Sequence, residues 1–258
     1  MANKHGDFIW YELVTTDADA ATAFYSAVLG WTITNPANDD MDYREIQAVS
    51  EYIGGMLALT PEMMSGGARP SWIGYIAVND VDASVASITA AGGRLAMPAR
   101  DLEGVGRFAL VADPQGVPFY VMTSATGETS TAFAAEAPKV GHCAWNELAT
   151  TDQAGALAFY TGQFGWVKDG DMDMGPMGKY EFLRHTSVIG AVMTKPAEIP
   201  APGWTYYFRV PDIDAAVAIV TGNGGRVVNG PREVPGGDHV VNGIDPQGAV
   251  FALVGEKK

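Results

Sequence analysis

Cysteine is almost absent from this 258-residue chain: Cys143 stands alone. No intrachain disulfide and no cysteine-based metal cluster can form, which suits a reducing cytoplasm. Basic residues are also scarce, with 16 Lys plus Arg against 30 Asp plus Glu and a net charge of −14. That balance repels phosphate backbones and anionic lipid surfaces, so neither nucleic acid nor membrane is expected as a partner. Nowhere do about 18 uninterrupted apolar residues occur, and the first seven residues hold no basic segment followed by an apolar run. A cytoplasmic location is expected. Glycine-rich phosphate loops, nucleophile elbows and Cys/His pairs are missing as well, which sets aside nucleotide and triad chemistry. What is abundant is apolar material, at 47% of residues, enough to fill a packed core.

The chain repeats itself, and the repeat governs everything else. Trp10 to Trp31 matches Trp145 to Trp166 without a gap, with 12 of 22 positions identical, among them Glu12/Glu147, Asp17/Asp152, Phe24/Phe159, Tyr25/Tyr160 and Gly30/Gly165. Trp72/Trp204, Asp80/Asp212 and Asp113-Pro114-Gln115-Gly116/Asp245-Pro246-Gln247-Gly248 extend the match. Two homologous domains follow, 6–125 and 139–256, joined by a linker at 126–138 whose Ala, Thr, Ser and Glu show no periodicity. A weaker repeat of 63 residues inside each half aligns Asp17 with Asp80 and makes four modules in all.

Each module opens with a short apolar strand and then an Asp placed to cap a helix, because its carboxylate can accept first-turn N–H groups. Asp17, Asp80, Asp152 and Asp212 are these caps. Apolar residues such as Ala20, Phe24, Ala27 and Val28 recur at helical spacing, a glycine ends each helix, and short strands such as 43–49, 53–59, 107–112 and 117–122 follow. The Asp-Pro-Gln-Gly segments are turns by chemistry, with Pro fixing φ and Gly permitting positive φ. The fold class is α+β: four βαβββ modules in two homologous domains.

The strand-Asp-helix pattern ending in Phe24-Tyr25 and Leu29-Gly30-Trp31, with its closing Asp-Pro-Gln-Gly hairpin, resembles the vicinal oxygen chelate superfamily of glyoxalase I, bleomycin-resistance proteins and extradiol dioxygenases. The resemblance covers almost the whole chain, twice. It implies mixed sheets curled into cup-shaped half-barrels with helices outside. It also implies, in metal-dependent members, His or Gln on a first strand and Glu on a last strand. Counted onto this chain, the first-strand position falls on Trp10 and Trp145, or on Ile9 and Ala144, and in the second modules near Ile73 and Thr205. The last-strand position falls on Tyr120 and Ala252. No set of three ligands survives, so the expectation is no metal and no other cofactor, a divalent ion being disfavoured.

In place of ligands stand aromatic and acidic residues. Residues two apart on a strand share a face, which puts Glu12 beside Trp10 and Glu147 beside Trp145. Trp10, Trp72, Tyr75 and Tyr120 in the first half, and Trp145, Trp204, Tyr206, Tyr207 and His239 in the second, are candidate ligand-binding residues, since aromatic walls with a few polar groups make small-molecule pockets. Core filling explains the same aromatics. Glu12 and Glu147 are candidate catalytic bases, with a structural salt bridge or a relic of duplication as the competing explanation.

Three functions fit: a metal-free enzyme using Glu12 or Glu147 as general base, a binder of flat aromatic compounds, or metal-dependent lyase or dioxygenase chemistry with displaced ligands. The last would need Glu181 and His185 with His142 or His239. Glu45 and Glu181 correspond when Ile53 is matched to Ile189. Arg107 and Arg209 could hold a carboxylate or phosphate. Asp39-Asp40-x-Asp42 and Asp169-x-Asp171-x-Asp173 look superficially like calcium loops, although the latter lacks the glycine and terminal Glu of an EF-hand. The partner is a small molecule; a monomer suffices and a homodimer is compatible with the sequence.

Overall fold

The structure is a computed structural model that describes residues 2–36 and 41–258. Asp39 and Asp40 of the first acidic loop lie outside the described residues. The first module comprises β1 (Phe8–Thr15), α1 (Ala18–Leu29), β2 (Thr32–Ile33), β3 (Tyr43–Ala48) and β4 (Glu51–Ala58), followed by a short helix, α2 (Pro61–Ser65). The second comprises β5 (Ser71–Ala77), α3 (Val81–Ala90), β6 (Arg94–Leu102), β7 (Gly106–Ala112) and β8 (Pro118–Ser124). The third repeats the order with β9 (Cys143–Thr150), α4 (Gln153–Phe164), β10 (Val167–Asp173), β11 (Lys179–Arg184) and β12 (Val188–Thr194). The fourth closes with β13 (Gly203–Val210), α5 (Ile213–Gly222), β14 (Arg226–Glu233), β15 (His239–Ile244) and β16 (Val250–Gly255).

The caps form as the sequence dictates. Asp17, Asp80, Asp152 and Asp212 each accept a first-turn amide, from Ala20, Ala83, Gly155 and Ala215 respectively. Gly30 and Gly165 end α1 and α4 in the left-handed conformation that glycine adopts without a Cβ clash. α3 and α5 end differently: Ala91 and Asn223 are the cap residues, and the left-handed glycine, Gly92 or Gly224, follows one position later. In the two hairpin turns Asp113 Oδ1 accepts the amides of Gln115 and Val117, and Asp245 Oδ1 those of Gln247 and Ala249.

The strands order as β2-β3-β4-β1-β5-β8-β7-β6 and β10-β11-β12-β9-β13-β16-β15-β14, two eight-stranded mixed sheets, neither closed into a barrel. By compactness the chain divides otherwise than by repeat. One unit consists of Met1–Ile9, Ile73–Ser130 and Asn146–Trp204, and the other of Trp10–Trp72, Thr131–Trp145 and Thr205–Lys258. The first unit therefore combines the second and third modules, and the second unit the first and fourth.

Inside each unit the two modules meet through their helix-bearing faces. In the second unit Trp31 and Trp72 pack on Phe208, Phe24 packs on Phe251, and Tyr11 on Tyr206, with ring centroids 4.9–5.6 Å apart. In the first unit Phe119 packs on Tyr160 and Phe164 at 5.6 and 5.7 Å. Trp166 stacks on Tyr160 at 5.6 Å with an interplanar angle of 7°.

A matching polar lock crosses each core. Tyr25 Oη accepts from Trp72 Nε1 and donates to Asp245 Oδ2, both at 3.0 Å. Tyr160 Oη accepts from Trp204 Nε1 at 3.0 Å and donates to Asp113 Oδ2 at 3.1 Å. Trp31 Nε1 donates to Gly141 O, and Trp166 Nε1 to Gly6 O, each at 2.8 Å. Buried donors and acceptors left unpaired would cost about 1–3 kcal/mol apiece, so each aromatic in these locks is committed to the core.

Candidate faces opposite the helices

Strand alternation divides every sheet block into a face under a helix and a helix-free face. In the first module Arg44 reaches α1 through Thr22 Oγ1 and ion pairs to Asp19 and Asp42, which marks the helix side of β3. The row Glu45↔Gly55↔Glu12 therefore belongs to the helix-free face, together with Trp10 and Tyr43. Glu12 is buried at 3% exposure, whereas Glu45 is exposed. Trp10 Nε1 donates to Tyr43 Oη at 3.0 Å. The phenol lies directly over Gly55, where an added Cβ would come within 2.0 Å of the hydroxyl. Gly55 is thus the gap through which Tyr43 reaches Trp10.

The third module carries the same positions with some residues changed. Its row is Phe182↔Ala191↔Glu147, and Tyr180, two residues before Phe182, takes the place of Tyr43. Tyr180 Oη donates to Glu147 Oε2 at 2.7 Å. An aromatic ring beside a carboxylate is retained in both modules. The register also corrects one correspondence drawn from the sequence. Glu181 pairs with Val192 and Arg44 with Met56, so Glu181 occupies the place of Arg44 rather than that of Glu45. It faces the helix side and pairs with Lys168 at 2.5 Å.

In the second module Tyr75 and Tyr120 are direct cross-strand partners, stacked at 4.1 Å with an interplanar angle of 19°. Phe108 lies 6.0 Å from Tyr120, and the guanidinium of Arg100 sits 4.9 Å above the Phe108 ring. In the fourth module Tyr207, Val240, Ala252 and Val254 form a cluster against which Ala144 and Trp145 pack. Asn242 Nδ2 donates to Tyr207 Oη at 3.2 Å.

The structure thus places Trp10, Glu12, Tyr75, Tyr120, Trp145 and Glu147 among the helix-free faces. Trp72, Trp204 and Tyr206 are placed elsewhere. Their even positions on β5 and β13 turn them under the helices, where Trp72 and Trp204 serve the locks and Tyr206 packs on Tyr11. His239 sits opposite to Val240 and Asn242 by the same alternation, and its Nδ1 is enclosed without a hydrogen-bond partner among the described residues. Glu12 and Glu147 belong to different compact units. Sequence reasoning passed over Tyr43, Tyr180, Phe108, Phe182 and Arg100. The signal available was their alternation on middle strands, which needs the bulges that set the register.

The donor set of a superfamily metal does not fit here. The counted ligand positions Trp10, Trp145, Ile73, Tyr120, Thr205 and Ala252 do lie on helix-free faces, but they supply two indoles, a phenol, a hydroxyl and two alkyl groups. Among the described residues no three His, Cys, Asp or Glu side chains gather as ligands. The displaced set is dispersed as well: His185 Nδ1 pairs with Asp7 at 3.0 Å, and His142 Nδ1 with Thr131 O at 2.7 Å. Both arginines singled out in the sequence are occupied, Arg107 by Asp82 and Asp101 and Arg209 by Asp238. Asp171 of the second acidic loop pairs with Lys179, and Asp169 with Arg184.

Several titrating groups are displaced. Burial raises the carboxyls of Asp113 and Asp245 above 3.8 against their amide donors, and burial with the Asp245 charge raises the Tyr25 phenol. Burial works against ionisation of Asp7, yet its bonds to His185 and the Lys4 amide hold it below 3.8. Lys139 holds Glu51 below 4.5. Cys143 is pushed up to about 12 by burial and is inert as a nucleophile. A groove of about 510 Å³ near Asp82, Asp101, Arg107 and Thr123 contains none of the candidate ligand-binding residues. Among the described residues no helix is long and apolar enough to cross a membrane.

Comparison with known proteins agrees with this architecture. The sequence model of the Glyoxalase/Bleomycin resistance protein/Dioxygenase superfamily matches residues 8–121 and again 139–253. The protein named "Putative glyoxylase CFP32" from Mycobacterium tuberculosis is 32% identical over 259 residues, covering 97% of this chain and 95% of its own. The "Anthracycline biosynthesis protein DauV" of a Streptomyces species is 30% identical over 257 residues, covering 95% and 91%. Among solved structures, the Mn(II)-bound glyoxalase from Novosphingobium aromaticivorans superposes with a TM-score of 0.65 at 18% identity, over 100% of this chain and 84% of that one. The 2,3-dioxygenase LapB from Pseudomonas sp. KL28 gives 0.67 at 16% identity, over 99% and 94%. At such identities the structural likeness speaks for the fold alone.

Proposed function

The chain belongs to the glyoxalase/bleomycin resistance protein/dioxygenase superfamily, and from that premise we propose that it binds a flat, oxygenated aromatic small molecule on the helix-free faces of its sheets, without the superfamily's metal. The observation that carries this reading is the Tyr75–Tyr120 stack with Phe108 on a face that packs under no helix. Aromatic side chains are expected under helices, where they fill the core; Tyr75, Tyr120 and Phe108, each 6–8% exposed, lie on the opposite face, where their rings can line a site for a planar molecule. The name of the Streptomyces relative points the same way, because anthracyclines are fused-ring hydroxylated aromatics.

The test is a titration of the intact protein with 1,4-dihydroxyanthraquinone, followed by quenching of intrinsic fluorescence and by thermal shift. Saturable binding is expected, weakened about tenfold or more in Tyr120→Ala through loss of a stacking surface. Absence of saturable binding by this and other planar hydroxyaromatics ends the reading.

Glu12 supports a second reading. A carboxylate buried on the Trp10–Tyr43 face is placed to act as a general base on a proton next to a carbonyl. In that case Glu12→Gln abolishes turnover of a bound substrate while leaving its affinity unchanged, and Glu147→Gln reports the same for the other unit. Turnover that survives both changes removes the carboxylates from the chemistry.

A further inference from the structure

Arginine is scarce in this acidic chain, and most arginines are engaged by carboxylates or backbone. Arg100 differs. It pairs across the strands with Phe108, and its guanidinium lies 4.9 Å above that ring. Its chain neighbour Asp101 points to the opposite face, where with Asp82 it holds Arg107. Among the described residues Arg100 makes no ion pair, although thirty acidic residues are available in the chain. Strand alternation sets it on the face of Tyr75, Tyr120 and Met122, since Phe108 pairs with Met122 and Leu110 with Tyr120. The fourth module also has an arginine there: Arg232 pairs with Val240 as Arg100 pairs with Phe108.

We propose that Arg100 makes the Tyr75–Tyr120–Phe108 face selective for planar aromatic ligands that carry a negative charge, a ring carboxylate or phenolate. The inference rests on the aromatic-binding reading above. A guanidinium stacked on one ring keeps its in-plane N–H groups pointing sideways, where they can donate to an oxyanion on a molecule lying beside that ring. The acidic surface of the protein would select the opposite charge, so a preference for anions has to come from a local group. Arg100 is that group in the first unit, and Val240 in place of Phe108 leaves Arg232 without an aromatic platform in the second.

The probes that test this are anthraquinone-2-carboxylate and its uncharged counterpart anthraquinone-2-carboxamide, titrated into the full chain by calorimetry. The carboxylate is expected to bind roughly tenfold more tightly, the scale of one charge-assisted contact. Arg100→Gln, an exposed substitution checked for folding by circular dichroism, is expected to erase that preference by weakening the carboxylate far more than the carboxamide. Arg100→Lys, which keeps the charge but not the planar fork, is expected to retain only part of it. Equal binding of the two probes to the unaltered protein, or a preference that persists in Arg100→Gln, overturns the assignment while the aromatic-binding reading stands. If neither probe binds, the reading itself falls and the role of Arg100 with it.

Discussion

The two compact units agree where they fold and differ where they face away from their helices. Tyr25–Trp72–Asp245 in one and Tyr160–Trp204–Asp113 in the other have bond lengths within 0.1 Å of each other. On the helix-free faces the row Glu45, Gly55 and Glu12 of one unit becomes Phe182, Ala191 and Glu147 in the other, with Tyr43 and Tyr180 at the same place. One ion pair also differs. Asp7 follows Gly6 and binds His185, while His142 follows Gly141 and lies 3.4 Å from Glu51. A buried polar lock tolerates little change because each atom in it has a partner to lose, whereas on the helix-free faces Trp10, Tyr43 and Glu147 are only partly buried, so water can serve groups whose neighbours change.

The locks give the largest expected effects. Tyr25→Phe and Tyr160→Phe each strand an indole N–H and remove a donor from a buried carboxylate, which should cost about 2 kcal/mol in urea denaturation. The two losses should agree within about 0.5 kcal/mol if the locks are equivalent; a clear inequality breaks the comparison between units.

Gly55→Ala comes next. The new Cβ displaces Tyr43 from above the strand, so the Trp10 indole N–H should shift in a proton NMR spectrum at a cost of about 1 kcal/mol. The reciprocal change, Ala191→Gly, should lose roughly 0.5–1 kcal/mol from strand entropy yet leave the Tyr180–Glu147 bond in place. An unmoved Trp10 signal in Gly55→Ala removes the gap argument.

The smallest effects are pH-dependent. The carboxyls of Asp7 and Glu51 are both held below their ordinary values of 3.8 and 4.5. A depressed carboxyl adds stability above its unfolded value, and that contribution is lost as pH falls through the folded one. Asp7→Asn and Glu51→Gln should therefore destabilise the protein at pH 6 and have less effect near pH 3. Both pairs are partly exposed, so solvent screening keeps each effect below about 1 kcal/mol. A pH-independent loss would assign the pairs to packing rather than charge.

Much of the fold was legible in the sequence because its signals are local. An Asp before an apolar stripe caps a helix wherever the chain goes, and Asp-Pro-Gln-Gly turns by its own dihedral preferences. The faces of the candidate aromatics were only partly legible. Counting along strands puts Trp10, Tyr75 and Tyr120 on one face, and they lie opposite the helices, but Trp72, Trp204 and Tyr206 have the same composition and burial and lie under the helices. One residue of parity separates the helix-free face from the core, and a bulge such as that between Ile46 and Gln47 shifts parity without marking the sequence.

The sequence by itself determined four modules, their caps and turns, and which residues stand at the positions a superfamily metal would use. Tertiary structure alone decided that compact packing joins the first module to the fourth and the second to the third, because the helix-side aromatics of either half are chemically alike and only their burial in space selects a partner. It also decided which of the repeated aromatic and acidic residues share a face. Face is a property of register, and register is fixed by hydrogen bonds to strands far away in the chain.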